Sequence, residues 1–174
     1  MGCGGIPHEK DINENINNNI DNMRNELLKN HNKYRKYHNS NDLKMNNDLN
    51  KKAQEYANEI IDAKFKQSTF HNIYKNSILG ENTFCSKEKV DPKKICHEWY
   101  KENKKYDYEK NSYLKGTGHF TQLVWKNTKE VGFGISSNND NFRVVAYYYP
   151  AGNILGEFQN NVLEKNEFEQ ESNI

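Results

Sequence analysis

The chain has 174 residues, of which 28% are charged, with a formal net charge of +1 and a mean hydropathy of −1.14. This length suits one domain with a modest core and polar ends, and the near-neutral charge excludes nucleic acid as a bulk electrostatic partner. Aromatic residues make up 12% of the chain, which argues against a disordered protein because disordered chains are poor in Phe, Trp and Tyr.

Neither a membrane span nor a secretion signal is visible. No stretch approaches the roughly 18 consecutive apolar residues of a transmembrane helix, and the N-terminus lacks the apolar run of a signal peptide. We therefore expect an intracellular protein that is not secreted. Its three cysteines are Cys3, Cys85 and Cys96. An odd number, with one at the extreme N-terminus, argues against a disulfide framework and fits a reducing compartment, with a Cys85–Cys96 bridge as the less favoured alternative.

The first residues predict a lipid anchor. Removal of Met1 leaves Gly2 with the small, unhindered amine that myristoylation requires, and Cys3 beside it can carry a palmitoyl chain. Two acyl chains hold a protein firmly on a membrane, whereas one myristoyl chain binds only marginally, with a constant of about 10⁴ M⁻¹. Ile6 departs from the usual Ser or Thr, so an unmodified end with a spare thiol is the alternative. We predict a lipidated tail and polar spacer over residues 1–19.

Helical periodicity begins after this spacer. Apolar and aromatic residues recur at spacings of three and four over residues 20–37, which predicts a first helix. A second helix is predicted over 48–63, with Asp48 as its N-cap, and a third over 92–104, behind an Asp91 cap. The apolar face of the second helix comprises Leu49, Ala53, Tyr56, Ala57 and Ile60.

Strands dominate the C-terminal third of the chain. Residues 131–136 and 142–149 are rich in β-branched and aromatic side chains and are joined by an Asn-rich turn, which predicts an antiparallel hairpin. Helices at the start and middle with a terminal hairpin predict a mixed domain whose antiparallel strands are covered by helices. We place this domain at residues 20–160 and predict a solvated acidic tail over 161–174.

Four polar residues stand beside apolar segments. Glu102 shares a helical face with Trp99, and a buried carboxylate is costly unless paired, although an exposed place in the last turn is equally open. His119 follows a Gly-Thr-Gly bend at the start of a helix, where a histidine is usually a satisfied core residue. With His71 and Glu81, these side chains could bind a divalent metal, although their spacing is not that of a zinc finger or an HExxH helix.

Two longer stretches of the sequence are distinctive: residues 118–128, GHFTQLVWKNT, and residues 144–153, VVAYYYPAGN. They are accompanied by His31-Asn32, Tyr34-Arg35, Gly80-Glu81-Asn82 and Trp99-Tyr100. With these motifs the sequence resembles the CAP superfamily of cysteine-rich secretory and plant pathogenesis-related proteins. The first stretch matches the family's first signature throughout, the second resembles its second signature, and the other matches follow in the family's order across roughly residues 24–156.

The resemblance implies both a fold and a site. The implied fold is α+β, a three-layer α-β-α sandwich with a central antiparallel sheet. Two histidines and two glutamates line a cleft in this family, and the motifs carry them over to His71, Glu81, Glu102 and His119. Secreted members usually have a cysteine where this chain has Ala146. That departure favours the intracellular, Golgi-associated, lipid-anchored branch of the family.

The function that the resemblance implies is a membrane-anchored module. It would bind a sterol, a fatty acid or an acidic phospholipid at a cytosol-facing membrane, without enzymatic activity and with no required cofactor. Lys104, Lys105 and Lys110 could meet lipid headgroups, although most surface lysines are simply solvated.

Two alternatives come from other classes of protein. The first is a zinc-dependent hydrolase, with His71 and His119 as metal ligands and a glutamate of the cleft activating water. The second is a self-associating scaffold, a homodimer to which the aromatic strand Tyr147–Tyr149 contributes an interface. Strand geometry favours instead an alternation of these tyrosines between core and surface.

Overall fold

The structure, a computed structural model, describes residues 9–61 and 72–166, with side chains from residue 14 onward. Three predicted site residues, Gly2, Cys3 and His71, lie outside the described residues, as does the end of the acidic tail. The elements follow in chain order: α1 (Glu9–Tyr37), β1 (Lys44–Met45), α2 (Asn47–Ile60), β2 (Ile73–Tyr74), β3 (Ser77–Ile78), β4 (Gly80–Ser86), α3 (Pro92–Tyr100), a 3₁₀ turn (Lys101–Lys105), α4 (Gly118–Val124), β5 (Glu130–Ser137), β6 (Phe142–Tyr149) and α5 (Phe158–Asn161).

The main sheet has four strands in the order β1-β5-β6-β4, and β2 and β3 form a separate small hairpin. β5, β6 and β4 are antiparallel, which confirms the predicted hairpin, while the two-residue β1 pairs parallel with β5. Helix α2 packs on one face of this sheet, and α1, α3 and α4 cover the other. The predicted α+β sandwich of three layers is therefore confirmed, with one short parallel strand at its edge.

The strand β6 is buried on both faces. Tyr148 packs into the core shared with α1, α3 and α4, whereas Tyr147 packs on the opposite face against α2. Both side chains are fully buried, so the predicted alternation of Tyr147–Tyr149 between core and surface is wrong. A strand covered by helices on both sides needs apolar or aromatic residues at every position. For the same reason, these two tyrosines do not offer an exposed surface for a homodimer.

Helix α2 lies unusually close to β5. Gly132 and Gly134 face it, and an added Cβ would lie 2.3 Å from the backbone of Leu49 and 2.0 Å from the carbonyl oxygen of Ala53, respectively. Only glycine leaves room for this approach. The helix also satisfies the outer edge of the strand, where Asn50 Oδ1 accepts a hydrogen bond of 2.7 Å from the Phe133 amide.

Three helix boundaries differ from the predictions. α1 begins at Glu9 rather than near Ile20. Ile12 and Ile16 precede Ile20 at spacings of four, but every residue between them is polar, so the apolar pattern there is weak. The N-cap of α2 is Asn46, whose side chain accepts from the amides of the second and third helical residues, so Asp48 lies inside the helix. α3 ends at Tyr100, where the chain tightens into the 3₁₀ turn. The predicted apolar face of α2 is buried as expected.

A buried arginine ties α1 to the end of α4. The Arg35 guanidinium donates to the carbonyl oxygens of Asn41 (2.8 Å), Leu123 (3.0 Å), Trp125 (2.9 Å) and Thr128 (3.0 Å). Burial lowers the pKa of Arg35 to about 10, so the side chain remains protonated at neutral pH. Its charge strengthens four hydrogen bonds to backbone carbonyl oxygens, and this fixes the short helix that carries His119.

The described helices include no candidate for a membrane span. α1 has 29 residues, but it is strongly polar. Neither it nor any other helix within residues 9–61 and 72–166 combines the length and apolarity that crossing a bilayer requires.

Candidate functional site

Glu102 and His119 meet where the 3₁₀ turn lies against the start of α4. Glu102 Oε1 is 2.8 Å from His119 Nδ1, and Glu102 Oε2 accepts from the backbone amides of His119 (2.9 Å) and Phe120 (3.1 Å). Thr117, the residue before the first residue of α4, provides no side-chain cap to the helix. The carboxylate of Glu102 therefore caps α4 from a distant part of the chain and holds the His119 ring at the same time.

The carboxylate of this pair is held in its ionised form. Partial burial acts to raise the pKa of Glu102, but its hydrogen bond and charge interaction with His119, together with the two backbone amides, bring the pKa below its usual value. Because an ionised carboxylate only accepts hydrogen bonds, Nδ1 of His119 carries the proton of this contact. In the neutral ring, Nε2 is then the nitrogen that can accept a hydrogen bond or bind a ligand.

A cleft of about 330 Å³ opens beside the pair. The rings of Trp99 and Phe84 give it an apolar wall, and the Trp99 ring is nearly parallel to that of His119, at an interplanar angle of 21° and a centroid distance of 6.3 Å. Trp99 Nε1 donates to the carbonyl oxygen of Thr83 (3.2 Å), which fixes the orientation of the indole. The cleft thus combines a rigid aromatic wall with a charged, oriented imidazole–carboxylate pair.

Two lysines border the same cleft. Lys101 and Lys105 are exposed and contribute to its lining. Lys101 forms an ion pair with Glu98, one turn earlier on α3. The rim is therefore polar and partly cationic, in contrast to the aromatic wall.

Glu81 lies on β4, opposite Tyr147 of β6. Desolvation of the carboxylate raises the pKa of Glu81. A hydrogen bond with Tyr147 and attraction to His119 act in the opposite direction. Glu81 is thus close enough to interact electrostatically with His119, but it does not line the cleft with Glu102.

The described residues bring together part of the predicted tetrad. Glu102 and His119 touch, Glu81 lies within electrostatic range, and His71 falls outside the described ranges. Within residues 9–61 and 72–166, no three His, Cys, Asp or Glu side chains are arranged to hold a metal ion. The described residues therefore do not complete a metal site at the cleft.

A buried hydrogen-bond network that the sequence does not predict holds the backbone of His119. Asn82 Nδ2 donates to the carbonyl oxygen of His119 (3.0 Å) and to the Tyr148 hydroxyl (3.1 Å). Tyr148 lies 2.8 Å from His31 Nε2, and His31 Nδ1 lies 2.7 Å from the Leu27 carbonyl oxygen. Because a carbonyl only accepts, Nδ1 carries the proton and Nε2 accepts from Tyr148. These residues lie within the quoted motifs, but nothing in their spacing indicates that they touch.

Comparison with known proteins identifies a family and several relatives. The family model for the cysteine-rich secretory protein family (CAP) matches residues 28–149. The Golgi-associated plant pathogenesis-related protein 1 of Homo sapiens is 38% identical over 142 residues, which cover 80% of this chain and 91% of that protein. The basic form of pathogenesis-related protein 1 from Nicotiana tabacum is 32% identical over 119 residues, 67% of this chain and 64% of that protein.

Solved structures share the fold at lower identity. Venom allergen-like protein 4 of Schistosoma mansoni has a TM-score of 0.66 and 22% identity, over 84% of this chain and 97% of that one. The crystal structure of NaASP2 with Zn²⁺ has a TM-score of 0.60 and 21% identity, over 83% of this chain and 86% of the other. At these identities, the similarity establishes the sandwich architecture alone.

Proposed function

The chain belongs to the cysteine-rich secretory protein (CAP) family, and from this membership we propose that it is a membrane-associated protein that binds lipid without transforming it. The observation that carries the proposal is the cleft, in which an aromatic wall faces a carboxylate–imidazole pair whose carboxylate is already committed. The aromatic wall and the hydrogen-bonded state of Glu102 favour binding over catalysis.

The state of Glu102 argues against a role as general base. Its two oxygens already accept three N–H groups, and its pKa lies below the usual value. An efficient general base needs a pKa near the working pH. Glu102 therefore acts as a structural group that caps α4 and orients His119.

The lining of the cleft suits an amphiphilic ligand. Phe84 and Trp99 offer apolar surface, while Lys105 can meet an anionic group at the rim; Lys101 is already paired with Glu98. A volume of about 330 Å³ is at the small end of ligand pockets. The cleft accordingly takes part of a lipid, such as a headgroup or a segment of an acyl chain, rather than a whole phospholipid.

Membrane attachment is the second part of the proposal. Myristoylation of Gly2 and palmitoylation of Cys3 would together supply the two acyl chains that stable anchoring needs. The relative from Homo sapiens is named for its association with the Golgi. We place this chain likewise on a cytosol-facing intracellular membrane, as a peripheral protein.

Fractionation of cells tests the anchor. The full-length chain, expressed in a eukaryotic host, should sediment with membranes, and Gly2→Ala should move it to the soluble fraction. Gly5→Ala is the matched control, because it alters a glycine that the acylation reaction does not use. Membrane binding that is unchanged in the Gly2→Ala protein would contradict the anchor.

Native mass spectrometry tests the cleft. The full-length protein, isolated without denaturation, should carry one bound lipid. The bound fraction should fall when a charge is introduced beside the aromatic wall by Phe84→Glu. Ser86→Glu, which places the same charge on the same strand at a residue outside the lining of the cleft, is the control for a generally loosened β4. A protein that carries no lipid in its native form would count against the proposal.

A zinc site is the second candidate function, and one contact favours it. Glu102 holds His119 Nδ1 as carboxylates commonly hold metal-binding histidines, which leaves Nε2 for a cation. The similar protein NaASP2 was crystallised with Zn²⁺. The described residues do not complete such a site, so we derive no hydrolytic step from it. His71 would have to supply the second imidazole.

Calorimetric titration with zinc separates this candidate from the first. A real site should lose stoichiometric binding in both His71→Ala and His119→Ala, but not in His97→Ala, which removes an exposed histidine on α3. Equal zinc binding in all three variants would exclude the cleft as a zinc site. Sedimentation of the same samples would detect the predicted homodimer.

A further inference from the structure

Two tight loops meet at the start of α4, and the first is the turn before it. The carbonyl oxygen of Leu114 accepts from the Thr117 amide (3.2 Å) and from its hydroxyl (2.7 Å). Gly116 adopts a φ of +84°, which allows the chain to turn sharply there. This turn is thereby fastened to the helix by the buried Thr117, while the side chains of Tyr113, Leu114 and Lys115 remain exposed.

The second loop follows β6. Asn153 Nδ2 donates to the carbonyl oxygen of Gly118 (3.0 Å), and Asn153 Oδ1 accepts from the Thr121 hydroxyl (2.6 Å). The Glu157 amide then bonds the carbonyl oxygen of Ile154 (3.1 Å), closing a turn that leaves Leu155 at its tip. This loop is therefore fastened to the same short helix as the first one.

The two loops are neighbours in space. A Cβ added to Gly118 would lie 3.7 Å from the Tyr113 ring and 3.8 Å from Asn153 Nδ2, so both loops border a single backbone position. We call the four exposed apolar residues on them the α4 apolar tip. Their exposed fractions are Tyr113 52%, Leu114 43%, Ile154 44% and Leu155 80%. A cluster of this kind marks an interaction surface, whereas single exposed apolar residues do not.

Two lysines, Lys105 and Lys115, lie at the first of the two loops that carry the α4 apolar tip. Lys105 Nζ lies 3.9 Å from the position of a Cβ on Gly116, so it reaches the first loop. Lys104, Lys105 and Lys115 form no ion pair with any carboxylate among the described residues, whereas Lys110 is paired with Asp107 at 3.2 Å. Glu109 and Glu157 are the other acidic residues of these loops. The excess of positive charge is small, so apolar contact must dominate any binding here.

We propose that the α4 apolar tip inserts into the boundary between headgroups and acyl chains of an anionic phospholipid membrane. The inference rests on the proposed membrane association and specifies the surface that makes the contact. Its exposed aliphatic residues suit the acyl-chain side of that boundary. Aromatic rings such as that of Tyr113 lie at headgroup level, and lysines meet anionic lipids.

The shape of this surface favours a membrane over a protein partner. A stable protein interface covers about 800 Å² on each partner, whereas the α4 apolar tip consists of four side chains on two tight turns. Lys105 belongs both to its rim and to the lining of the cleft. Docking through the tip would consequently bring the mouth of the cleft to the membrane surface, where a lipid ligand is found.

Vesicle binding by the full-length acylated protein tests the proposal. The probes are vesicles of phosphatidylcholine alone and of phosphatidylcholine mixed with phosphatidylserine. The double variant Leu114→Ser/Leu155→Ser should weaken binding to the mixed vesicles by about tenfold or more, because two leucines lose their apolar contact. Lys115→Gln should weaken it by about fivefold, and only on the anionic vesicles.

Ile78→Ser is the matched control, because Ile78 is an isoleucine that is 68% exposed on the β2–β3 hairpin. It should leave binding unchanged, and thermal unfolding should verify that each variant is folded. Wild-type binding by the double variant would overturn the tip as the contact surface while leaving membrane association intact. If Ile78→Ser weakened vesicle binding as much as the double variant does, the tip would be overturned as well. The same holds if the double variant changed the oligomeric state of the protein instead of its vesicle binding. A wild-type protein that ignores both vesicles would refute the proposed function itself.

Discussion

Acidification should destabilise this protein through one buried histidine. His31 lies fully inside the core, with Nδ1–H donated to Leu27 and Nε2 accepting from Tyr148. Burial lowers the pKa of His31 from 6.5 to about 4, a backbone hydrogen bond acts in the opposite direction, and the charge of Arg35 lowers it further. The native state therefore keeps this ring neutral well below the pH at which the unfolded chain protonates it.

The sign and size of the effect follow from that difference. Because the folded pKa is depressed, the contribution of His31 to stability is fully present above pH 6.5 and is lost as the pH falls toward 4. Each unit of pKa shift corresponds to 1.36 kcal/mol, so the loss over the whole interval is about 3 kcal/mol. About 2 kcal/mol of it should be gone at about pH 5, a large share of a typical domain's stability.

Urea unfolding near pH 7 and near pH 5 measures this loss. His31→Gln retains an acceptor for the Tyr148 hydroxyl but does not titrate, so its stability should fall by about 2 kcal/mol less than that of the wild type between the two pH values. Burial also lowers the pKa of His38, and that contribution is common to both proteins. His97→Gln, at an exposed position, should behave as the wild type. If wild type and His31→Gln lose the same stability, the neutral buried imidazole is refuted.

Three further substitutions test individual contacts. Gly134→Ala should cost about 3 kcal/mol or more in urea unfolding, because the new Cβ meets the backbone of α2. Gly156→Ala, in open space but at a φ of +83°, should cost only about 1–2 kcal/mol, and equal costs would contradict the crowding at α2. Asn46→Ala should lower the free energy of unfolding by about 1 kcal/mol because α2 loses its N-cap. An unchanged free energy of unfolding would indicate that Asp48, the predicted N-cap, caps the helix instead. Glu102→Gln should lower the thermal midpoint and broaden the NMR signals of the ring that it holds, and unchanged signals would mean that the contact does not orient the ring.

Local patterns in the sequence were sufficient for much of the fold. The apolar face of α2, the Asp91 cap and the β5–β6 hairpin depend on neighbouring residues, and the structure has them as predicted. The start of α1 at Glu9 and the burial of both Tyr147 and Tyr148 could not be predicted from neighbouring residues. Isolated isoleucines in a polar segment give only a weak helical pattern, and the sequence of a strand does not reveal whether helices cover one or both of its faces.

The site was less accessible to local reasoning. Glu102 and His119 are 17 residues apart, and no spacing rule joins a carboxylate at the end of one helix to the start of another. Family resemblance proposed both as cleft residues, but the capping of α4 by Glu102 appears only in three dimensions. The contact of His31 with Tyr148 spans 117 residues, and the Arg35 anchor spans a comparable distance. Such long-range bonds depend on packing that no short motif encodes.

The two tryptophans provide the most direct measurement of lipid binding in the cleft. Trp99 lines the cleft, whereas Trp125 is buried against Phe158 on another part of the core, so their indole N–H signals report on the two places separately. Titration of the isotopically labelled protein with phospholipid-containing bicelles should shift the Trp99 indole resonance and leave that of Trp125 in place. A Trp99 signal that does not move, or one that moves together with Trp125, would contradict a lipid-binding cleft.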